Sequence, residues 1–311
     1  MPQSRAQNRV IDPALTNVAL DFHDPEFIAH HLFPNIIMPS SGAKVIKFGK
    51  EAFRKHNMRR APGSKTARVQ FGHATDPIAL VQDAIDGVVP REFLRDLSGS
   101  TQPNISLAAN AVKSAMSIAL RGLEIDAATL ALDATQYDVN HKETLSGTDQ
   151  WDNSSSDPRK RVIVYKEAIR SSIGAYPNVL LLPPKAFNSL ADHGLLKEQF
   201  KYTSSKSLTP EMLAAYFDVE KVVVGKSVFA EDETSDFQDI WSHAVLAYVP
   251  QAGQTINRPS YGYNYVGEGM PLAEPARYHE DTKSWIYGVE YERRPYITSQ
   301  AAGFLIQNPT S

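Results

Sequence analysis

The sequence predicts an α+β fold, with short strands and helices gathered around one long scaffold helix. Three observations carry this. An apolar stripe at three- and four-residue spacing runs from Asn104 to about Ala134, short helices and strands mix through 175–250, and the chain from Tyr261 onward is strand-rich. The 311 residues suffice for a substantial core and for two domains.

Residues 1–40 read as an extended arm. Pro2, Pro13, Pro25, Pro34 and Pro39 interrupt any long helix and leave room for a short one from Glu26 to Leu32. The arm also carries Leu15, Phe22, Phe27, Leu32 and Phe33, so it must lie on something, either its own domain or a neighbour. In 41–72, Val45–Phe48 and Arg68–Phe71 fit short strands around a Pro62-Gly63 turn. Lys44, Lys47, Lys50, Arg54, Lys55, Arg59, Arg60, Lys65 and Arg68 are opposed there by Glu51 alone. Composition by itself describes a solvated basic hairpin.

Val88 to Leu94 reads as a strand end followed by a short helix. The long helix follows, with Asn104 as N-cap and Ile105, Ala108, Val112, Ala115, Ala119, Leu123 and Leu130 inward. Lys113, Ser117, Arg121 and Glu124 fall on a second, polar stripe. A second helix has Asp157 as cap, Pro158 in its first turn and Gly174 as stop. A buried strand at Asn178–Leu182, helices from Pro184 and Thr209, and strands at Lys221–Val224 and Ala244–Tyr248 complete a compact unit over 175–250. Strands are then expected at Tyr261–Val266, Ser284–Arg293 and Phe304–Gln307. The alternation Trp285, Tyr287, Val289, Tyr291 gives the second of these one aromatic face.

Composition narrows the function classes. The formal net charge of −3 is not that of a chain built as a whole to coat nucleic acid. The absence of cysteine excludes disulfides, thiolate metal sites and a cysteine nucleophile. No signal-peptide core follows Met1, and no run approaches the roughly 20 apolar residues of a membrane helix, so synthesis in the cytoplasm is expected. Gly42–Lys50 ends in Gly-Lys but lacks P-loop spacing, and Glu51 stands where Ser or Thr is needed. His23, His30 and His31 lie near Asp21, Asp24 and Glu26. Adjacent His30 and His31 diverge by about 100° on a helix, however, which argues against a shared metal. Carboxylate runs at Glu231–Glu233 and Glu280-Asp281 read as solvated turns, and the Tyr261, Tyr263, Tyr265 ladder as sheet packing, because no base is interleaved with it. No catalytic residue, cofactor site or metal site is assigned.

Several collinear stretches carry a resemblance. They are Asp12-Pro13-Ala14-Leu15-Thr16-Asn17, Pro25-Glu26-Phe27-Ile28-Ala29, Leu32-Phe33-Pro34, Phe48-Gly49-Lys50-Glu51-Ala52-Phe53 and Arg60-Ala61-Pro62-Gly63. Further on come Leu145 to Trp151, Tyr202-Thr203, Thr209-Pro210-Glu211 and Leu246-Ala247-Tyr248-Val249-Pro250. Together they resemble major capsid proteins of tailed double-stranded-DNA phages with the Hong Kong 97-type fold, over nearly the whole chain.

The resemblance implies an N-terminal arm at 1–40 and an extended hairpin loop at 41–75 lying over an adjacent subunit. It implies a peripheral domain at 76–174 and 251–311, with a spine helix at about 104–134, and an axial domain at 175–250. It implies self-assembly through pentamers and hexamers around packaged DNA, a portal protein at one vertex, a separate scaffolding protein and room for a decoration protein, with no membrane. Under it, Lys47, Lys50, Arg54, Arg59 and Arg60 are expected to pair with acids across subunit boundaries, and Phe27 and Phe33 to contact neighbours. The rival readings are an encapsulin-like compartment, a metal-dependent hydrolase using His23, His30 or His31, and a decoration or tail-tube protein.

Overall fold

The computed structural model describes residues 11–47, 59, 74–93, 107–200, 208–250 and 260–311. Its first element is one that the proline count concealed. Helix α1 (Pro13–Leu20) is capped by Asp12, whose carboxylate accepts from the N–H groups of Ala14 and Leu15 at 3.0 and 3.1 Å. Pro13 begins this helix, because a first-turn residue has no intrahelical use for an N–H. The expected helix from Glu26 to Leu32 is a single 3₁₀ turn, Ala29–His31. Strand β1 (Asn35–Met38) follows, and then β2 (Gly42–Lys47), which pairs antiparallel with β3 (Ala74–Ala79) from Gly42↔Ala79 to Lys47↔Ala74. This is a hairpin base; the expected strand at Arg68–Phe71 lies outside the described residues.

Strand β4 (Val81–Pro90) leads towards helix α2 (Leu107–Leu132), whose 26 residues make a rod of about 39 Å. The expected cap Asn104 lies outside the described residues. Helix α2 packs on a six-stranded sheet built around β14 (Ser284–Ile297). Strand β14 pairs with β4 over ten residues, and with β11 (Gly262–Gly267), β12 (Leu272–Ala273) and β13 (Arg277–His279). Strand β1 adds to β11 in parallel. The alternation in the sequence holds: Trp285, Tyr287 and Val289 pack with Val112, Ala115 and Met116 of α2, and Tyr291 packs with Ala119 and Leu123. On the opposite face of the sheet, Tyr263 and Tyr265 pack with Met38, Val45 and Ile78, so the hairpin base covers that end.

The second sheet has the order β5 (Lys142–Thr144), β15 (Gly303–Gln307), β10 (Ala244–Ala247), β6 (Val179–Leu182) and β7 (Lys221–Val224). Strands β6 and β10 are buried at every residue, as a central apolar strand must be. Helix α3 (Pro158–Ile173) has the ends its sequence announced: Asp157 accepts from Lys160 N–H, and Gly174 stops the helix in the left-handed region at φ 73°. Helices α4 (Pro184–Asp192), α5 (Gly194–Phe200) and α6 (Pro210–Phe217, capped by Thr209) surround the same core, and β8 (Val228–Phe229) and β9 (Gln238–Asp239) form a small ribbon. Membership of this sheet differs from the sequence boundaries. Strand β15 pairs with β10, and β5 with β15, so the C-terminal strands divide between the two sheets.

Buried ions tie the elements together. Arg293, 3% exposed, donates to Asp83 of β4 and to Asp126 of α2, each at 2.9 Å. Lys166 of α3 donates to the Phe217 carbonyl (3.0 Å) and the Asp218 carboxylate (2.7 Å), satisfying the carbonyl end of α6.

Gly262 has a steric reason: a Cβ there would stand 2.5 Å from the Phe33 ring and 2.8 Å from the Tyr296 carbonyl. We expect Gly262→Ala to destabilise the chain by about 1–3 kcal/mol, read as a lower urea midpoint at unchanged slope.

Candidate assembly interface

One buried carboxylate joins the arm to the body, beside the β1–β11 pairing. Glu124 of α2 is 1% exposed. Its Oε1 accepts from Ile28 N–H (2.9 Å) and Trp241 Nε1–H (2.6 Å), and its Oε2 accepts from Ala29 N–H (2.8 Å). Arm, long helix and the loop entering β10 therefore meet at a single side chain. Burial pushes its carboxyl above the ordinary range, against the pull of the three donors. The helical pattern had placed Glu124 on the polar stripe, and that is corrected here: the arm and Trp241 cover a position that an isolated helix would expose.

Phe27 and Phe33 are likewise placed inside their own chain. Phe33 is 1% exposed and lies 5.6 Å from the Tyr261 ring, centroid to centroid. Phe27, 8% exposed, lines a cavity of about 520 Å³ between the arm and Met116, Leu120 and Leu123 of α2. The expectation that these rings face a neighbour is corrected: they anchor the arm. Of the five basic candidates, Lys47 ends β2 and Arg59 is exposed, while Lys50, Arg54 and Arg60 lie outside the described residues.

The His30 and His31 rings meet although adjacent positions of their 3₁₀ turn diverge by about 120°. The His30 and His31 rings are 3.9 Å apart, and Lys221 Nζ lies 3.3 and 3.2 Å from the two His31 ring nitrogens. An ammonium at that distance requires a neutral imidazole. Burial, then His30, then Lys221 lower His31 to about 4, and burial and Lys221 lower His30. His23 instead contacts the Asp21 carbonyl at 2.9 Å. Among the described residues no cluster of three or more His, Asp or Glu side chains could hold a metal.

A buried serine–histidine contact exists, Ser156 Oγ to His193 Nε2 at 3.2 Å, and its geometry is not that of a catalytic dyad. His193 Nδ1 faces Leu195 N–H at 3.4 Å and therefore accepts, which leaves Nε2 as the donor. An imidazole that donates to the hydroxyl cannot take its proton. Asp232, in the acidic run, is held near 2 by Thr234 and Ser235 within its own turn. Among the described residues no helix is long and apolar enough to cross a membrane.

No family model matches the chain. It is 33% identical over 303 residues, covering 96% of both chains, to the major capsid protein of Burkholderia phage BcepMu. The crystal structure of a phage-related protein of Bordetella bronchiseptica RB50 matches with a TM-score of 0.83 and 38% identity, over 97% of this chain and 99% of that one. Likeness of fold alone extends to the capsid of cyanophage P-SCSP1u (TM-score 0.54, 7% identity, 89% and 86% covered). It extends also to the SrpI encapsulin of Synechococcus elongatus PCC 7942 (TM-score 0.55, 10% identity, 93% and 89% covered).

Two outcomes follow from this geometry. Glu124→Gln turns one acceptor into an NH₂ facing a backbone N–H; we expect a loss of about 1–3 kcal/mol and faster hydrogen exchange at Ile28 and Ala29. His31, with its folded pKa lowered, binds protons more weakly folded than unfolded. Its contribution is present above its ordinary 6.5 and is lost as the pH falls towards about 4. His31→Asn should flatten the stability–pH curve in that window, measured by thermal melting.

Proposed function

The chain belongs to the phage major capsid proteins and is a structural protein of the phage head with the Hong Kong 97-type fold, and from that premise we propose that it assembles through pentamers and hexamers into an icosahedral shell around packaged double-stranded DNA. The observation that carries this is the 33% identity to a named major capsid protein across 96% of both chains. The mechanism is assembly, and no reaction is assigned to the chain. The virion is its place of function, and the host cytoplasm is where we propose that shells form. A separate scaffolding protein, a portal protein at one vertex and a decoration protein belong to the same reading as partners; the DNA inside is enclosed without sequence recognition.

In this proposal the α2 sheet is the peripheral domain and the β6–β10 sheet the axial domain. Sheet pairing supports one change to the boundaries, which moves β5, α3 and β15 to the axial side. Residues 41–72, which include β2 and the segment before β3, carry nine basic residues against one acid, and we assign Lys47, Lys50, Arg54, Arg59 and Arg60 to contacts with acidic groups of a neighbouring copy. Contacts of modest individual strength suit this role, because a closed lattice sums them while each still permits a misplaced subunit to leave. An encapsulin-type compartment has the same fold; the identity to a phage major capsid protein favours the phage head.

Negative-stain microscopy of the protein, expressed alone and with a co-expressed scaffolding protein, tests the reading. Rings of five and six or closed shells are expected, and a monomer under both conditions overturns it. Arg59→Glu with Arg60→Glu should block assembly; shells formed as by the unmodified chain would remove these two residues from the contact.

A further inference from the structure

The cavity between the arm and α2 has the size and the walls of a small-molecule site. Its volume of about 520 Å³ lies within the range of pockets that hold small ligands. One wall is α2, with Met116, Leu120 and Leu123, and the other is the arm from Ala19 to His30. Phe22 and Phe27 of the arm and Tyr291 of β14 add aromatic surface. Between α1 and the 3₁₀ turn the arm forms neither helix nor strand. Side-chain contacts with α2 therefore hold that wall where it is.

The charged part of the wall has one sign. Asp24 and Glu124 both line the cavity, and no Lys or Arg does. The oxygens of Glu124 are taken by Ile28, Ala29 and Trp241. Asp24 is placed differently: one oxygen accepts from Glu26 N–H at 3.0 Å, and the other has no hydrogen bond among the described residues. The two carboxylates repel, and Asp24 is one of the causes that raise the Glu124 carboxyl. His30 brings no compensating charge at neutral pH, because burial and then Lys221 lower it. The Lys221 ammonium itself stands on His31, outside the cavity wall. A carboxylate with an open oxygen beside an aromatic-lined cavity is complementary to an ammonium carried on an apolar body.

We propose that this cavity binds a small organic amine with an apolar or aromatic body, its ammonium on Asp24 and its body between Phe27 and Leu120, and that the bound amine fastens the arm to α2. The two walls belong to different elements, so the site is complete only while the arm is docked. A ligand that binds that state alone shifts the equilibrium towards it. The site lies within one subunit and is independent of the self-assembly reading above.

Phenethylamine is the probe, with phenethyl alcohol and phenylacetate as its neutral and anionic counterparts. Titration of the full chain should find the amine bound about tenfold more tightly than either counterpart. Asp24→Asn keeps an acceptor for Glu26 N–H and should bring the amine down to the affinity of the alcohol. At ten times its dissociation constant the amine should slow hydrogen exchange at Ile28 and Ala29 about tenfold, since the arm must leave for those groups to open. Leu120→Trp fills the cavity and should abolish binding. If that variant fails to fold, the unmodified chain labelled at its methionine methyl groups replaces it: Met116 should shift on titration, and Met212 of α6 should not. Equal affinity for the three probes, or no binding of any, overturns the proposal. Binding that survives in Leu120→Trp or leaves Met116 unmoved overturns it as well.

Discussion

The organisation of this subunit depends on keeping one carboxylate, Glu124, out of water without leaving its acceptors unpaired. A buried carboxylate is costly unless donors converge on it. Here two donors come from the backbone of the arm and one from Trp241, which belongs to the unit built on the second sheet. The arm can therefore run across α2 in one register only, and the two sheets are held to a common helix. Phe33 over Gly262, and Leu32 and Ile28 in the large core, then bury apolar surface in positions that the carboxylate has already set. Arg293 repeats the device between β4, β14 and α2.

This arrangement suits a lattice protein. A shell subunit must be rigid where it is packed and must present contacts that its own fold leaves unsatisfied. The described body is rigid by this logic: a 26-residue helix, a 14-residue strand that pairs with four others, and buried ions linking them. Charge is divided unevenly along the chain, with a formal +8 on residues 41–72 and −11 on the remainder. Opposite charges brought together between copies would make association salt-sensitive, which is the physical content of the contact proposed above.

Places where chemistry could reside have structural explanations. The Ser156–His193 pair has its proton on the wrong nitrogen for nucleophile activation. The tyrosine ladder of β11 fills the space between the sheet and the hairpin base. The histidine pair supports the contact between the arm and β7 while neutral, and that contact is weakened by acid.

The sequence by itself determined what is local and periodic. The α+β class, the long helix, the ends of α3 at Asp157 and Gly174, the cap at Thr209 and the aromatic face of β14 all follow from spacing and turn chemistry, and the collinear stretches named the family. The tertiary structure decided the rest. Helix α1 was hidden because Pro13 is as good a helix start as a helix breaker. The burial of Glu124 was hidden because its partners lie 95 to 117 positions away. The allotment of β15 to the second sheet and the meeting of Asp86, Glu274 and Arg277 beside Gly288 were hidden because strand pairing is set by which edges meet in space. No periodicity within a segment records that.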